Sequence, residues 1–279
     1  MLNKKENVNS ILRKFGFDCL MEKIIIQIYE IQDPCQAEPM LELEVDHIGS
    51  VILSEDNWKV ALIKEAVNLT GETASKSCLI PLFNTPEAVF RTLDYYRPDM
   101  VHFCDDICQV GSDPGACDSL IALQKGVKNR FPEIKIIRSV PIAAPGMAEH
   151  VPTLKLAEMF EPVSDYFLTD TLLIQDAAKI PAEQPVSDFI GITGKLCDWD
   201  MAEKLVEKSA IPVILAGGIS PENVFNGIKR VRPFGIDSCT NTNAVDGNGR
   251  AIRFKKDIKR VNQLVANVRK AEKAIFADN

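Results

Sequence analysis

The chain has 279 residues, of which 46% are hydrophobic and 25% are charged, and its formal net charge is −7. This balance is typical of a globular protein with a large core, and the lack of a dense Lys/Arg cluster argues against a nucleic-acid partner. No stretch approaches ~18 unbroken apolar residues, and the N-terminal MLNKKENVNSILRKF lacks the apolar core of a secretory signal. We therefore expect a cytoplasmic protein with no membrane partner.

An amphipathic helix is predicted ahead of the main domain. Val8, Ile11, Leu12 and Phe15 follow the i, i+3, i+4, i+7 spacing of one helical face, which predicts a helix over 7–16. We place this helix in an N-terminal extension over 1–22. It could seal one end of the main domain or face a second copy of the chain, so a monomer and a homodimer both stay open.

From Lys23 onward, apolar runs alternate with amphipathic stretches, the order expected of parallel strands joined by helices. The predicted strands span 23–29, 47–53, 77–82, 100–104, 134–140, 166–169, 211–215 and 234–238. The predicted helices span 35–44, 57–69, 86–96, 116–130, 150–160, 200–209, 221–231 and 254–272. Eight such units close a (β/α)8 TIM barrel, so we predict an α/β fold with one barrel domain over 23–279. An open doubly wound sheet is the alternative.

The last predicted helix has the clearest pattern. Phe254, Ile258, Val261, Val265 and Val268 form one apolar stripe. We expect this stripe to pack against the barrel.

Ligands of such barrels lie at the carboxyl ends of the strands, so the residues that follow each apolar run are candidates for the site. The first three strands contribute Tyr29, Glu30, 54–58 and Asn84. The next three contribute Cys104, Asp105, Asp106, Arg138, Ser139, Asp170 and Thr171. The last two contribute Gly217, Gly218 and 237–241.

Cysteine and histidine residues do not predict a metal site. The eight cysteines are scattered through apolar runs, which favours reduced thiols over a disulfide framework. Six possible ligands crowd together: His102, Cys104, Asp105, Asp106, Cys108 and, nearby, Cys117. Strand alternation, however, sends His102 and Cys104 to one face and Asp105 to the other. We predict neither a metal nor a cofactor.

The stretch PVILAGGISPENV over 212–224 reads as a strand, a tight turn and a helix. Gly217 and Gly218 lack the Cβ atoms that would keep a ligand off the backbone. Ser220 and Pro221 are typical of an N-cap and a first helical residue. The exposed amides of such a helix start form an anion site, although a plain βα turn would look the same.

The loop after the sixth strand is about twenty residues long before it reaches GITGKLCDWD over 191–200. Loops of this length are uncommon unless they are functional or disordered. Gly191, Thr193 and Gly194 suggest flexible backbone beside a ligand, and Lys195 could add positive charge. Asp198 is placed to cap the helix that follows.

Taken together, FLTDT (167–171), GITGKLCDWD (191–200), VILAGGISPENV (213–224) and GIDSCTN (235–241) resemble phosphoribosylanthranilate isomerase in order and spacing. The late GRAIRFKKDIKRVNQLV resembles the last loop and helix of that family. The resemblance implies a (β/α)8 barrel that performs an Amadori rearrangement in tryptophan biosynthesis. In that reaction, an acid aspartate opens the phosphoribosylamine ring, and a base cysteine removes the C2 proton.

The resemblance also implies site residues. Asp170 stands where the acid aspartate stands. A phosphorylated sugar would be bound by Gly191, Thr193, Gly194, Lys195, Gly217, Gly218, Asp237, Ser238, Cys239, Thr240 and Asn241. Phosphate binding after strands seven and eight is also the general expectation for barrels.

The first two strands depart from the family pattern. The family shows a K-I-C-G-I-T-like segment where this chain has QIYEIQ, so Tyr29 replaces the base cysteine and Glu30 the following glycine. The family arginine that binds the anthranilate carboxylate is absent from the loop LSEDNWK over 53–59. Glu55 and Asp56 in that loop would repel a carboxylate, and Lys59 could compensate only in part.

A replacement base is therefore needed if the reaction is kept. Tyrosine is a poor base near neutrality, so we favour Glu30 with a pKa raised by burial, and Cys104 or Asp105 are alternatives. Glu30 could equally just face solvent. The leading hypothesis is an isomerase that uses Asp170 as acid. A non-catalytic phosphosugar-binding barrel, or a related enzyme with another phosphorylated substrate, is the alternative.

Overall fold

The computed structural model describes residues 23–107, 114–175, 180–181 and 188–276. Eight parallel strands form a closed barrel in the order β1-β8-β7-β6-β5-β4-β3-β2. They are β1 Ile25–Ile28, β2 His47–Ile52, β3 Lys76–Pro81, β4 Met100–Phe103, β5 Lys135–Ala143, β6 Tyr166–Leu172, β7 Val213–Leu215 and β8 Gly235–Ser238. The predicted TIM barrel is confirmed. The open doubly wound sheet is wrong, because Ile25 of β1 pairs with Gly235 of β8.

Helices follow the strands and cover the outside of the barrel. They are α1 Pro34–Glu42, α2 Ala61–Gly71, α3 Pro86–Tyr96, α4 Pro114–Arg130, α5 Thr153–Phe160, α6 Trp199–Lys208, α7 Val224–Val231 and α8 Ile258–Phe276. The Asp198 carboxylate accepts hydrogen bonds from the amides of Asp200 and Met201 and so caps α6, as predicted. The helix predicted over 7–16 lies outside the described residues. Within those residues, no helix combines the length and hydropathy needed to cross a bilayer.

An antiparallel hairpin stands between β8 and α8, where the sequence predicted a helix from 254. Its strands are β9 Asn243–Val245 and β10 Ala251–Lys256, and Phe254 lies in β10 with a φ of 60°. The apolar stripe of α8 starts at Val261, since Ile258 is 41% exposed while Val261 and Val268 are fully buried. The first residue of the predicted stripe therefore belongs to the hairpin.

The start of α7 also differs from the prediction. Ser220 and Asn223 form a turn in which the Asn223 side chain accepts a hydrogen bond from the Ser220 amide at 2.9 Å. The helix begins only at Val224. Ser220 and Pro221 are therefore not its N-cap and first helical residue.

The last helix holds the start of the barrel. Arg269 Nη1 of α8 donates to the carbonyl of Ile24 at 2.9 Å, and the Glu272 carboxylate accepts from the Ile24 amide. Arg269 also lies 3.5 Å from Asp46, the residue before β2. Side chains of α8 therefore fix the backbone that leads into β1.

Candidate active site

A cleft opens at the carboxyl ends of the barrel strands and encloses about 770 Å³ of empty space, including the part open to solvent. Most of the residues predicted for the site line this cleft. They are Tyr29, Glu30, Asp170, Gly191, Thr193, Gly194, Gly217, Gly218, Asp237, Ser238, Cys239, Thr240 and Asn241. Lys195 does not line the cleft, and its side chain is exposed.

The turn after β7 needs both of its glycines. Gly217 and Gly218 have φ values of 82° and 70°, which residues with a side chain rarely adopt. A Cβ on Gly218 would lie 2.5 Å from the backbone of Lys195 and Leu196. The two glycines therefore let the loop after β6 pack directly on this turn.

The described part of the loop after β6 is held at both ends. The amide of Ile190 donates to the carbonyl of Cys104 at 2.9 Å. At the other end, the Thr171 hydroxyl donates to the carbonyl of Lys195 at 2.7 Å. The segment between these points crosses the cleft, and a Cβ on Gly194 would meet Thr240 at 3.2 Å. The loop thus covers the region between β6 and the residues after β8.

The carboxyl group of Asp170 faces the cleft from β6. Its Oδ1 accepts a hydrogen bond from the Thr171 amide at 2.9 Å, and a Cβ on Gly191 would lie 2.4 Å from its Oδ2. Burial raises the pKa of Asp170 to about 7, although the Thr171 hydrogen bond opposes the shift. The group can therefore hold a proton near neutral pH, as a general acid must.

A second carboxyl group, Asp237 of β8, lines the same cleft and is 7% exposed. Gln27 Nε2 of β1 donates to Asp237 Oδ1 at 3.3 Å. Burial and the negative charge of Asp170 raise the pKa of Asp237 to about 8, against the opposing effects of Gln27 and Lys256. The cleft therefore holds two carboxyl groups that can exchange protons near neutral pH.

The Tyr29 ring lines the cleft, but its hydroxyl belongs to a buried hydrogen-bonded chain. Tyr29 Oη lies 2.8 Å from both Cys78 Sγ and His102 Nδ1. His102 Nε2 in turn lies 2.8 Å from Ser139 Oγ. Burial raises the pKa of Tyr29 well above its usual value of about 10. The phenol therefore stays neutral, which argues against Tyr29 as the base.

Glu30 is buried, so it does not face solvent. We expected burial to raise its pKa, but the pKa is lowered. Its carboxylate accepts hydrogen bonds from Asn243 Nδ2 at 2.9 Å, Arg253 Nε at 2.7 Å and the Phe254 amide at 3.2 Å. Burial alone would raise the pKa of Glu30, but these bonds outweigh burial and lower it. A stabilised carboxylate of this kind is a weak base.

Several other candidates lie away from the cleft. Arg138 and Ser139 sit inside β5, because this strand runs on to Ala143 instead of ending at 140. Glu55 accepts a hydrogen bond from Thr85 and lies 3.6 Å from Arg91, and Lys59 lies over the Tyr95 ring. Neither Glu55 nor Lys59 lines the cleft, so the expected repulsion and compensation do not arise there.

Cys108, one of the residues weighed as metal ligands, lies outside the described residues, so the cluster can be examined only for the part of the chain that the structure describes. There, no three His, Cys, Asp or Glu side chains group as metal ligands would. His102 points into the barrel, while the Asp105 carboxylate binds Arg138 at 2.9 Å, which fits the alternation expected for β4.

Comparison with known proteins agrees with this geometry. The sequence model described as N-(5'-phosphoribosyl)anthranilate (PRA) isomerase matches residues 147–267. N-(5'-phosphoribosyl)anthranilate isomerase 2 of Methanosarcina mazei is 37% identical over 145 residues, which are 52% of each chain. The Methanothrix thermoacetophila enzyme of the same name is 27% identical over 88% of this chain and 99% of its own length. The chain is therefore similar to phosphoribosylanthranilate isomerases, most of all over residues 147–267.

The fold also agrees with solved structures of phosphoribosylanthranilate isomerases. One is phosphoribosyl anthranilate isomerase in complex with reduced 1-(o-carboxyphenylamino)-1-deoxyribulose 5-phosphate, with a TM-score of 0.57 and 18% identity over 88% of this chain and 99% of that one. The match to the M. mazei relative covers only about half of either chain, 52%. The sequence model likewise matches only part of the chain, residues 147–267, which include Asp170 and the glycine turn.

Arg253 is a cleft residue that sequence reasoning missed. It lies in the segment GRAIRFKKD, which resembled the last loop of the family but was divided between a loop and a predicted helix. Its partner Glu30 is 223 positions away, so no local pattern could have joined the two.

Proposed function

We propose that the protein catalyses an Amadori-type isomerisation of a phosphorylated ribosylamine, with phosphoribosylanthranilate as the substrate to test first. The observation that carries this proposal is Asp170, a carboxyl group with a pKa of about 7 in a cleft that also contains the Gly217–Gly218 turn. The glycine turn and the residues after β8 would bind the phosphate through backbone amides.

Asp237 is our candidate for the second proton-transfer group. A lysine stands in the family where this chain has Gln27, and a lysine there would hold Asp237 ionised through an ion pair. Gln27 offers Asp237 only a neutral amide at 3.3 Å. The loss of the base cysteine at 29 therefore coincides with a change that leaves a nearby carboxyl group with a pKa of about 8, so that its ionised form is a stronger base than an ordinary carboxylate.

The proposed steps balance in protons and electrons. The steps start from the state of the pair in which its one proton is on Asp170 and Asp237 is ionised. Asp170 gives its proton to the ring oxygen while the C1–O bond breaks and the nitrogen lone pair forms a C1=N bond. Asp237 takes the C2 proton; the C–H electron pair forms C1=C2, and the C=N pair returns to nitrogen. The resulting enolamine loses the O2 proton and gains one at C1. No oxidant or reductant is consumed, and the carboxyl pair keeps one proton in total.

The test is turnover of freshly generated phosphoribosylanthranilate, followed by the loss of its fluorescence. Asp170→Asn and Asp237→Asn should each lower kcat by roughly 10²–10⁴, the usual contribution of a positioned acid or base. Asp200→Asn is the matched control, since the Asp200 side chain is 73% exposed and lies outside the cleft.

Each outcome has a distinct meaning. Full activity in Asp170→Asn would refute the assigned acid, and full activity in Asp237→Asn would refute the assigned second group. If the unaltered protein binds ribose 5-phosphate but shows no turnover, the non-catalytic phosphosugar-binding barrel replaces the proposed enzyme. A cytoplasmic location and a homodimer stay predictions, and light scattering of the purified protein would test the homodimer.

A further inference from the structure

Arg253 of β10 is the only lysine or arginine among the described residues that line the cleft. The other charged residues there are the carboxyl groups of Glu30, Asp170 and Asp237. The Arg253 side chain is 38% exposed, while that of its partner Glu30 is 2% exposed. A single accessible cation therefore faces a ligand in an otherwise acidic cleft.

Glu30 fixes the direction of this cation. The Glu30 carboxylate binds Arg253 through Nε at 2.7 Å. Among the described residues, no hydrogen-bond partner is found for either Nη atom of Arg253. The fork of a guanidinium suits a carboxylate, and an arginine held at Nε is already oriented for that contact.

The backbone is strained on both sides of this contact. Glu30 has a φ of 64° and Phe254 a φ of 60°, and the Phe254 amide donates to Glu30 Oε2 at 3.2 Å. Residues other than glycine rarely adopt this conformation and do so where the surroundings demand it. The hydrogen bonds of Glu30 to Arg253 and to the Phe254 amide hold the chain in this conformation and keep the Arg253 side chain at the cleft.

The position of Arg253 separates it from the glycine turn. Glu30 follows β1, which lies between β8 and β2 in the barrel. Beyond it, Val51, Ile80, Leu82 and Phe189 form an apolar part of the cleft wall. A ligand with its phosphate on the Gly217–Gly218 turn would therefore place its other half near Arg253 and this apolar wall.

We propose that Arg253 is the binding residue for a carboxylate on the non-phosphate half of the ligand and that Glu30 is its positioning residue. This inference rests on the proposed function, because the ligand bound in a solved relative carries both a phosphate and a carboxyphenyl group. The proposal places the carboxylate contact on the hairpin after β8, because the loop after strand two of this chain contains no arginine.

The test compares two ligands by calorimetric titration: reduced 1-(o-carboxyphenylamino)-1-deoxyribulose 5-phosphate and its analogue without the carboxyl group. The unaltered protein should prefer the carboxylated ligand by roughly tenfold to a hundredfold, the usual value of a charge-assisted hydrogen bond. In Arg253→Gln, this preference should fall to within about threefold. Glu30→Gln should lose part of it, because a neutral amide holds the guanidinium less firmly.

Arg250→Gln is the matched control, because Arg250 lies in the same hairpin outside the cleft lining and should leave the preference unchanged. The ratio of two affinities is insensitive to a general loss of folded protein, which thermal unfolding would report separately. The proposal is overturned if Arg253→Gln weakens both ligands equally, as a phosphate contact would, or if the unaltered protein shows no preference.

The results distinguish a failure of this inference from a failure of the proposed function. If phosphoribosylanthranilate is turned over but the preference does not depend on Arg253, only this inference fails. If neither titrated ligand binds and no turnover occurs, while ribose 5-phosphate still binds, the proposed function fails and this inference fails with it.

Discussion

On the side of the cleft formed by β6, β7 and β8, a ligand meets mainly backbone, whereas on the side of β1, β2 and β3 it meets side chains. Gly191, Gly194, Gly217 and Gly218 expose the backbone on the first side. On the second side, Tyr29 and Glu30 are hydrogen-bonded to residues from distant elements. Backbone amides fit a phosphate whatever sugar carries it, so the side-chain part of the cleft decides which second half is accepted.

The largest effect is expected for Gly218→Ala. A Cβ would lie 2.5 Å from the backbone of Lys195 and Leu196, and the φ of 70° adds strain. Together these should cost roughly 2–5 kcal/mol of unfolding free energy and weaken ribose 5-phosphate binding at least tenfold. Chemical denaturation and titration would measure both effects. Gly247→Ala is the control, because a Cβ there meets nothing within 4 Å. Equal stability of the two variants would contradict the view that closely packed backbone forms the phosphate-binding side of the cleft.

The next effect tests the side-chain part of the cleft. A Cβ on Gly49 of β2 would lie 2.0 Å from the Tyr29 ring, so Gly49→Ala should lower the unfolding free energy by roughly 1–3 kcal/mol. In a Tyr29→Cys background the ring is gone, and the same alanine should cost much less. Denaturation of the two single variants and the double variant would measure this coupling. Additive effects would mean that Gly49 does not make room for Tyr29.

Asp170→Asn should stabilise the protein at high pH. The pKa of Asp170 is about 7 in the folded protein against ~3.9 in unfolded chains, so ionisation is penalised in the fold. The stability lost as pH rises from about 4 to 7 corresponds to ~4 kcal/mol for the full pKa difference. Because Asp170 is only half-buried, solvent screens part of this penalty, and we expect asparagine to recover about 1–2 kcal/mol at pH 8 and nothing near pH 3.5. Thermal unfolding at both pH values would show this. A gain that is the same at both pH values would contradict the raised pKa.

The smallest effect is expected for Lys195→Gln. Sequence reasoning placed Lys195 in the phosphate site, but its side chain is exposed and does not line the cleft. An exposed charge contributes about 0–1 kcal/mol, so ribose 5-phosphate affinity should fall by less than about fivefold. A larger loss on titration would return Lys195 to the site and make the phosphate side partly dependent on side chains.

The barrel could be predicted from the sequence because each strand is a short apolar run and each connection restores a helical pattern. The errors fall where a local pattern has two structural explanations. Phe254 continues the helical spacing of α8 by coincidence, and it lies in strand β10 of the hairpin instead. The predicted fifth strand ends at 140, yet β5 continues through Pro141, which lies opposite Asp170 of β6. The missing amide of Pro141 costs no strand pairing with β4, because β4 already ends at Phe103.

The two sides of the cleft also differ in how far the sequence alone predicts them. Gly217, Gly218 and Asp170 carry their signal in the few residues around them, so their placement in the cleft was predictable. The partners of Tyr29 and Glu30 come from β3, β4 and the late hairpin. Contacts over such separations depend on the closed barrel, and a carboxylate such as Glu30 cannot be assigned a pKa before its donors are known.

The contacts of α8 with Ile24 also bear on how the chain acquires its fold during synthesis. The Ile24 amide and the Glu272 carboxylate are 248 positions apart. The ribosome must therefore release nearly the whole barrel before the first strand finds β8 and this helix. Until then β1 has one free edge, and pairings across such separations are slow to form. We expect nascent chains that end before α8 to be open, protease-sensitive and dependent on chaperones.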